Sequence, residues 1–340
     1  QYRDSSHLLL DKSAGAVSSA LRNAVNEPML DILRLGTRGS ALALAQAGLV
    51  RAAISMVAGT PTGGIAIQEF RTVGDRITDR PLKDIGGKAL FTREIDAALI
   101  SGQIDAAVHS LKDVESVLAP GLHLAAVLPR ADARDCLIGA ANLQALPIGA
   151  RVGTSAVRRI AQILAVRRDL EIVPMRGNVD TRIRKWQSGE VQALVLAQAG
   201  LDRLGRHDVP AHILPADGFL PAAGQGIVGI VLRAEDRSVS ELIEKISHAP
   251  SMAAALAERA FVAALGGDCG SPIAAHATCA GETLRLEGAF FELDGQDCMR
   301  GNISGAAENA ADLGRALAMA LKAQSTPRLC AVLQAPHCAS

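Results

Sequence analysis

From Leu30 onwards the chain alternates short apolar runs with helix-patterned segments, and no other feature restricts its fold as much. "ILRLG" runs into "SALALAQAGLVRAAISMV", "IDAAVHS" follows, "ARVGTS" runs into "AVRRIAQILAVRR", and "EIVPM" and "VQALVLA" come after. Repeated strand-then-helix units predict α/β domains with mainly parallel sheets, because a crossover helix returns the chain to start the next parallel strand. The pattern changes after Pro250. A helix "MAAALAERAFVAAL", a glycine-rich loop, strand-like "TLRLEGAFFELDG" and a late helix "AENAADLGRALAMALKAQ" predict a smaller C-terminal α+β domain.

Two junctions are alike: "LRLGTRGSALALAQA" at 33–47 and "ARVGTSAVRRIAQI" at 150–163. Each has a short strand, Gly-Thr and a polar turn opening a helix, so the two α/β domains read as sisters. Unpaired N–H groups at a helix start, beside the hydroxyls of Ser40, Thr154 and Ser155, suit a carboxylate or phosphate. Ordinary N-capping by Ser40 and by Thr154 or Ser155 accounts for the same residues. Arg38, Arg158 and Arg159 beside the turns favour an anion, since a guanidinium adds a two-pronged donor. Two such sites would face each other across an interdomain cleft.

With 340 residues, 49% hydrophobic and 21% charged, the chain can bury several cores without disulfide staples. No apolar run approaches the roughly 18 residues of a membrane span, and "HLLLDKS" is too short for a secretory apolar core. Residues 1–28, rich in Ser and Ala, read as an extension outside the fold. Asp4, Asp11 and Glu27 argue against a transit peptide, and Met29 is a plausible natural start. The cysteines at 136, 269, 279, 298, 330 and 338 show no C-x-x-C pair and no zinc spacing, so free thiols in a reducing cytoplasm and no metal are expected.

Formal charge is zero, from 35 basic and 35 acidic residues, and aromatics make up 2% of the chain. A general nucleic-acid binder needs excess positive charge and often stacking platforms, so that class is excluded. The charge is nonetheless uneven. Residues 151–185 carry Arg151, Arg158, Arg159, Arg167, Arg168, Arg176, Arg182, Arg184 and Lys185 against Asp169, Glu171 and Asp180. Such a segment focuses positive potential and suits a small, multiply anionic ligand. Arg167, Arg168, Arg184 and Lys185 fit solvated helix-face charges best.

"VHSLKDVE" at 108–115 follows an apolar strand and brings His109, Ser110, Lys112 and Asp113 to a strand end, where α/β chemistry is found; a surface ion pair is the plainer reading of Lys112-Asp113. "IGGKALFTREI" at 85–95 offers Lys88 after a glycine turn but lacks phosphate-loop spacing. "ALGGDCGSPIAAH" at 264–276 places Cys269 where it has little to pack against, which suggests a reactive thiol.

"LGTRGSALALAQA", "GGKALFTREIDAAL", "DAAVHSLKDV", "VGTSAVRR", "MRGNVDTR", "LPAAGQGIVGI" and "GDCGSPI" occur in the order seen in the porphobilinogen deaminase family, and the resemblance runs from about Leu30 to the C-terminus. It implies an enzyme of tetrapyrrole biosynthesis that joins four porphobilinogen molecules head to tail and releases ammonia at each step. The implied fold is periplasmic-binding-protein-like: an α/β domain over 29–128 plus about 222–245, a second over 132–220, and an α+β domain over 249–340. In the family the loop cysteine holds a dipyrromethane cofactor by a thioether, and Cys269 matches it. Lys112, Ser40, Thr154, Arg158 and Arg159 match cofactor-binding positions. Arg38, Arg176, Arg182 and Lys88 match substrate-binding ones.

Asp113 matches the catalytic carboxylate. Loss of ammonia from the aminomethyl group leaves an azafulvene cation, so an acid, an anion and then a base are needed in turn, and one carboxylate can serve as all three. A monomer and a small-molecule substrate are expected, with no nucleic-acid or membrane partner. Three positions depart from the family pattern: Asp84 where lysine is common, Ala156 for serine, and Glu115 for proline. Charge reversal at Asp84 predicts a weaker carboxylate contact. Two other classes fit some of the same features, an anion-binding protein of the periplasmic type and a thiol enzyme pairing Cys269 with His276. The first has no use for Cys269, and the second needs two side chains to meet that sequence alone does not bring together.

Overall fold

The computed structural model describes residues 33–59, 62–76, 90–268 and 270–334. The extension over 1–28 lies outside them.

The first sheet has the order β2-β1-β3-β10-β4, built from β1 (Leu33–Arg38), β2 (Ile65–Phe70), β3 (Ala106–Ser110), β4 (Leu122–Val127) and β10 (Val228–Arg233). The second has the order β7-β6-β8-β5-β9, from β5 (Asp135–Ile138), β6 (Arg151–Gly153), β7 (Glu171–Val173), β8 (Ala193–Ala197) and β9 (Ala211–Ile213). Strand for strand the two are the same: two parallel pairs, then two antiparallel ones. The α/β class holds, with both sheets mixed where parallel pairing was expected to dominate. β10 reaches the first sheet, and β5 the second, straight from the other sheet with no crossover helix, so each enters in the opposite direction.

Those two crossings run side by side. Leu128 N–H donates to the Val228 carbonyl at 3.1 Å, and Ala131 N–H to the Gly226 carbonyl at 3.0 Å. Gly226 has φ +84, and a Cβ there would lie 2.5 Å from the Ala131 oxygen, so only glycine fits.

The helix Ala41–Ala58 fills one face of the first sheet. Ser40 caps it by accepting from Ala43 N–H at 3.3 Å. By length and composition this helix could cross a membrane. However, Arg51 interrupts it midway, and Ala43, Ala47, Val50 and Ile54 are buried against the sheet. It is a packing helix with one apolar face in the core.

The third sheet is the antiparallel β11-β12-β13 (Ile273–Ala280, Thr283–Phe291, Cys298–Ala306), covered by the helices Ala249–Ala264 and Ala310–Gln324. Those helices close tightly at Gly314, where a Cβ would come 2.2 Å from the Ala257 oxygen. Phe261 and Phe290 are fully buried in this core, each contributing roughly 1.5–3 kcal/mol by area burial.

A buried ion pair ties this unit to the crossings. Arg130 forks onto Glu258 at 2.5 and 3.3 Å and donates to the Gln225 carbonyl at 2.8 Å. Glu258 also accepts from the backbone N–H of Gly224 and of Ala277, both at 2.6 Å, so the buried carboxylate is fully partnered.

Candidate active site

Asp113 sits on the single turn that follows β3, at the mouth of a cavity of about 50 Å³ lined by Thr37, Arg38, Ser40, Phe91, His109 and Ser110, among others. Arg38 faces it, with Nη1 4.0 Å from Oδ2. Arg38 is held in place by other groups: it forks onto Asp75 at 2.5 and 3.2 Å and lies 4.4 Å over the Phe91 ring. Burial pushes the Asp75 carboxyl up, but hydrogen bonds from Arg38 and Thr72 outweigh it and hold Asp75 below the usual range. Ser110 shares a hydrogen bond with buried Gln46.

His109 is 5% exposed and its Nε2 has no hydrogen-bond partner among the described residues. Burial, helped by the charge of Arg38, lowers its pKa to about 4, so the ring is neutral at pH 7.

Lys112 donates to Gln225 Oε1 at 3.3 Å. Its pKa falls to about 8, chiefly through burial and then through Arg159 and Arg158, against the pull of Asp113 and Asp135. Gln225 passes the contact on, its amide donating to Asp135 at 2.9 Å.

Asp135, fully buried at the start of β5, anchors the second half of the site. Arg158 donates to it at 2.8 Å and Arg159 at 2.7 and 3.2 Å. Burial raises the Asp135 carboxyl, but the two guanidiniums overcome this and hold it well below its ordinary range. Arg158 also donates to the Leu220 carbonyl and Arg159 to that of Val195.

Arg182 donates to the Gly177 carbonyl at 2.8 Å, and Arg176 reaches the Gly74 carbonyl of the first sheet's unit at 3.5 Å. Burial lowers the pKa of Arg182 to about 10, with Arg159, Arg176 and Arg38 adding repulsion and Asp113 opposing it. Electrostatically, then, Arg38, Lys112 and Arg182 feel Asp113, and Arg159 and Arg176 join them through Arg182, so the neighbourhood is drawn from both sheets.

The two turns differ in detail. Ser40 caps its helix, whereas Thr154 Oγ1 accepts from Ala156 N–H at 3.3 Å and Ser155 bonds the backbone of Met175. Ala156 is itself the N-cap of the helix Val157–Val166 and gives no side-chain bond, so the missing serine leaves that helix start uncapped. Arg168 and Arg184 are exposed, as the solvated-charge reading expects, whereas Arg167 departs from it: its side chain is largely covered, paired with Asp169 and donating to the Leu143 and Leu146 carbonyls.

Cys269, Lys88 and Asp84 lie outside the described residues. His276, on β11, is set among Glu258, Arg130 and Asp132. Sequence reasoning missed Asp135, Gln225, Asp75 and Phe91. A carboxylate abutting the apolar run "CLIGA" was the available signal for Asp135, since a charge entering a core strand needs buried partners. Gln225 stood unremarked inside "LPAAGQGIVGI".

A family model described as the porphobilinogen deaminase, dipyromethane cofactor binding domain matches residues 33–241, and one described as its C-terminal domain matches 252–323. The chain belongs to the porphobilinogen deaminase family. It is 48% identical to the porphobilinogen deaminase of Sphingopyxis alaskensis, over 80% of this chain and 88% of that one. It is 46% identical to that of Roseiflexus castenholzii, over 85% of this chain and 95% of that one. Among solved structures it is similar to a putative periplasmic sulfonate-binding protein from Methylobacillus flagellatus. That likeness has 15% identity and a TM-score of 0.36 over 68% of this chain and 67% of that one, too low for anything about ligand to follow. The cofactor-binding model spans both mixed sheets of this chain and so includes the turns that carry Ser40, Asp113, Arg158 and Arg159.

Proposed function

We propose that the chain condenses four porphobilinogen molecules head to tail into hydroxymethylbilane, releasing one ammonia at each step, on a dipyrromethane primer held by a thioether at Cys269. The observation that carries this reading is the carboxylate of Asp113 set among cations from both sheets, with Arg38 4.0 Å away and Lys112 and Arg182 both under its charge. Porphobilinogen and the primer bear an acetate and a propionate on every pyrrole, so the ligand is polyanionic. The donor set fits it: Arg158 and Arg159 share the buried Asp135, Lys112 adds a third cation beside them, and Ser40 and Thr154 add hydroxyls. When bound, the primer supplies a nucleophilic pyrrole carbon at the end of the growing chain.

Asp113 protonates the departing amine of porphobilinogen, faces the cation left behind, and removes the α-proton once the new carbon–carbon bond has formed. The neutral ring of His109 adds no positive charge beside that cation. Arg38, Arg176, Arg182 and Lys88 take substrate carboxylates. Arg38 does so while keeping its Asp75 anchor, which fixes the direction of the fork. The enzyme works as a monomer in the cytoplasm. Cys136, Cys279, Cys298 and Cys330 are free thiols, which agrees with a reducing compartment.

Intact-mass analysis of purified protein tests this reading. The chain should be heavier than its sequence by two pyrrole units, the extra mass should map to Cys269, and Cys269→Ser should lack it. A sample with no adduct that leaves porphobilinogen unconsumed refutes it.

A further inference from the structure

The loop that carries Asp113 is gripped from outside its own sheet. Arg259, on the helix Ala249–Ala264, donates to three successive carbonyls: Val114 at 3.4 Å, Glu115 at 2.7 Å and Ser116 at 3.2 Å. The Ser116 hydroxyl in turn donates to the Gly267 carbonyl at 3.2 Å, two residues before Cys269 in the chain. Burial lowers the pKa of Arg259 to about 10 while the Glu115 charge opposes this, so the guanidinium stays charged at neutral pH.

A planar donor spanning three carbonyls fixes a backbone path, whatever side chains lie along it. This bears on Glu115, whose carbonyl is the middle one of the three. Val114 has φ −93 and ψ 132, the extended region that a following proline would impose. Here Arg259 imposes it from the third unit.

We infer that Arg259 and Ser116 are positioning residues that strap the Asp113 loop to the third unit, at the helix Ala249–Ala264 and at Gly267, and so fix the place of the proton-moving carboxylate. The inference rests on the reading under Proposed function. Neither residue touches reacting atoms; both act through the loop that carries Asp113. A strap of this kind governs the rate of each condensation more than the affinity for porphobilinogen.

The test compares wild type with Arg259→Met, Arg259→Lys and Ser116→Ala by intact mass and by porphobilinogen kinetics. All should carry the two-pyrrole adduct. A misplacement of about 1 Å costs on the order of 100-fold, so Arg259→Met should lose roughly that in kcat, with KM within about threefold of wild type. Arg259→Lys keeps the charge but offers no planar fork, so it should recover only a minor part. Ser116→Ala should lose about threefold to tenfold in kcat by the same reasoning.

Adding Glu115→Pro to Arg259→Met restores the extended path covalently and should regain several-fold in kcat, a rescue that general loss of stability would not show. Unchanged kcat in both Arg259→Met and Ser116→Ala, a loss confined to KM, or no gain from Glu115→Pro overturns the strap. Should Arg259→Met fail to fold, Ser116→Ala decides alone: full kcat there overturns it. A wild type with neither adduct nor turnover removes the deaminase reading instead, whereas an active wild type whose variants keep full kcat removes only the strap.

Discussion

The first and second sheets share strand order, strand direction and a Gly-Thr turn, yet they carry different chemistry. Pairing registers put Gly36 against Ala107 in one sheet and Gly153 against Leu194 in the other, so β3 and β8 can be compared position by position. His109 and Ser110 then stand where the second sheet has Leu196 and Ala197. After them the first chain continues into Lys112 and Asp113, and the second into a plain helix, Gln198–Arg203.

The arginines diverge as well. Arg38 is partly exposed and stands between Asp75 and Asp113, whereas Arg158 and Arg159 are buried on Asp135. On the proposed reading the two like scaffolds divide the work, one half moving protons and the other supplying fixed positive charge.

Exchanging features between the halves tests this division. The largest effect is expected at Asp113, which has no counterpart after β8. Asp113→Asn should lower turnover by about 10²–10⁴-fold with the thermal midpoint unchanged, as read by porphobilinogen consumption and calorimetry. Near-normal turnover would show that the two halves do not differ in the way described.

On the charged side, Asp135→Ala leaves Arg158 and Arg159 buried without their counter-ion. Urea denaturation should show a loss of about 3–5 kcal/mol. A loss below about 1 kcal/mol, the range of surface pairs, would mean that the clamp is no firmer than an exposed one.

His109 gives an intermediate effect. Its folded pKa, about 4, lies below the unfolded value near 6.5, so the unfolded chain binds the extra proton first. Its neutral form therefore contributes fully above pH 6.5, and stability falls as the pH drops from there towards 4, by on the order of 3 kcal/mol. His109→Leu, the residue of the sister strand, should flatten that part of the pH profile. An unaltered acid limb would assign the sensitivity to other groups.

The smallest effect concerns the uncapped helix. Ala156→Ser should raise stability by about 1 kcal/mol, seen as a higher urea midpoint at constant slope. No gain would mean that the first turn's Ser40 cap is not a feature the second turn lacks.

Much of this was legible in the sequence, because its signals are local. Strand–helix alternation, the paired Gly-Thr turns and the placement of Asp113 directly after an apolar strand depend on neighbours within a few residues. What was hidden depends on distant pairings. Asp135 meets Gln225 across 90 positions, Arg130 meets Glu258 across 128, and Arg259 meets Glu115 across 144. No periodicity reports such contacts. The mixed direction of both sheets escaped for the same reason, since it follows from where β5 and β10 insert. The segment 151–185 gave the reverse difficulty: its charge was obvious, but whether a given arginine faces solvent, ligand or a buried carboxylate is settled only by packing.

The side-by-side crossings also bear on how the molecule is made. During synthesis β1 to β4 emerge from the ribosome with a gap between β3 and β4, and that gap waits for β10, roughly a hundred residues later. The first half of the enzyme is therefore unfinished until the second has been translated. Its maturation is an assembly of two interdependent halves, slowed by long-range closure.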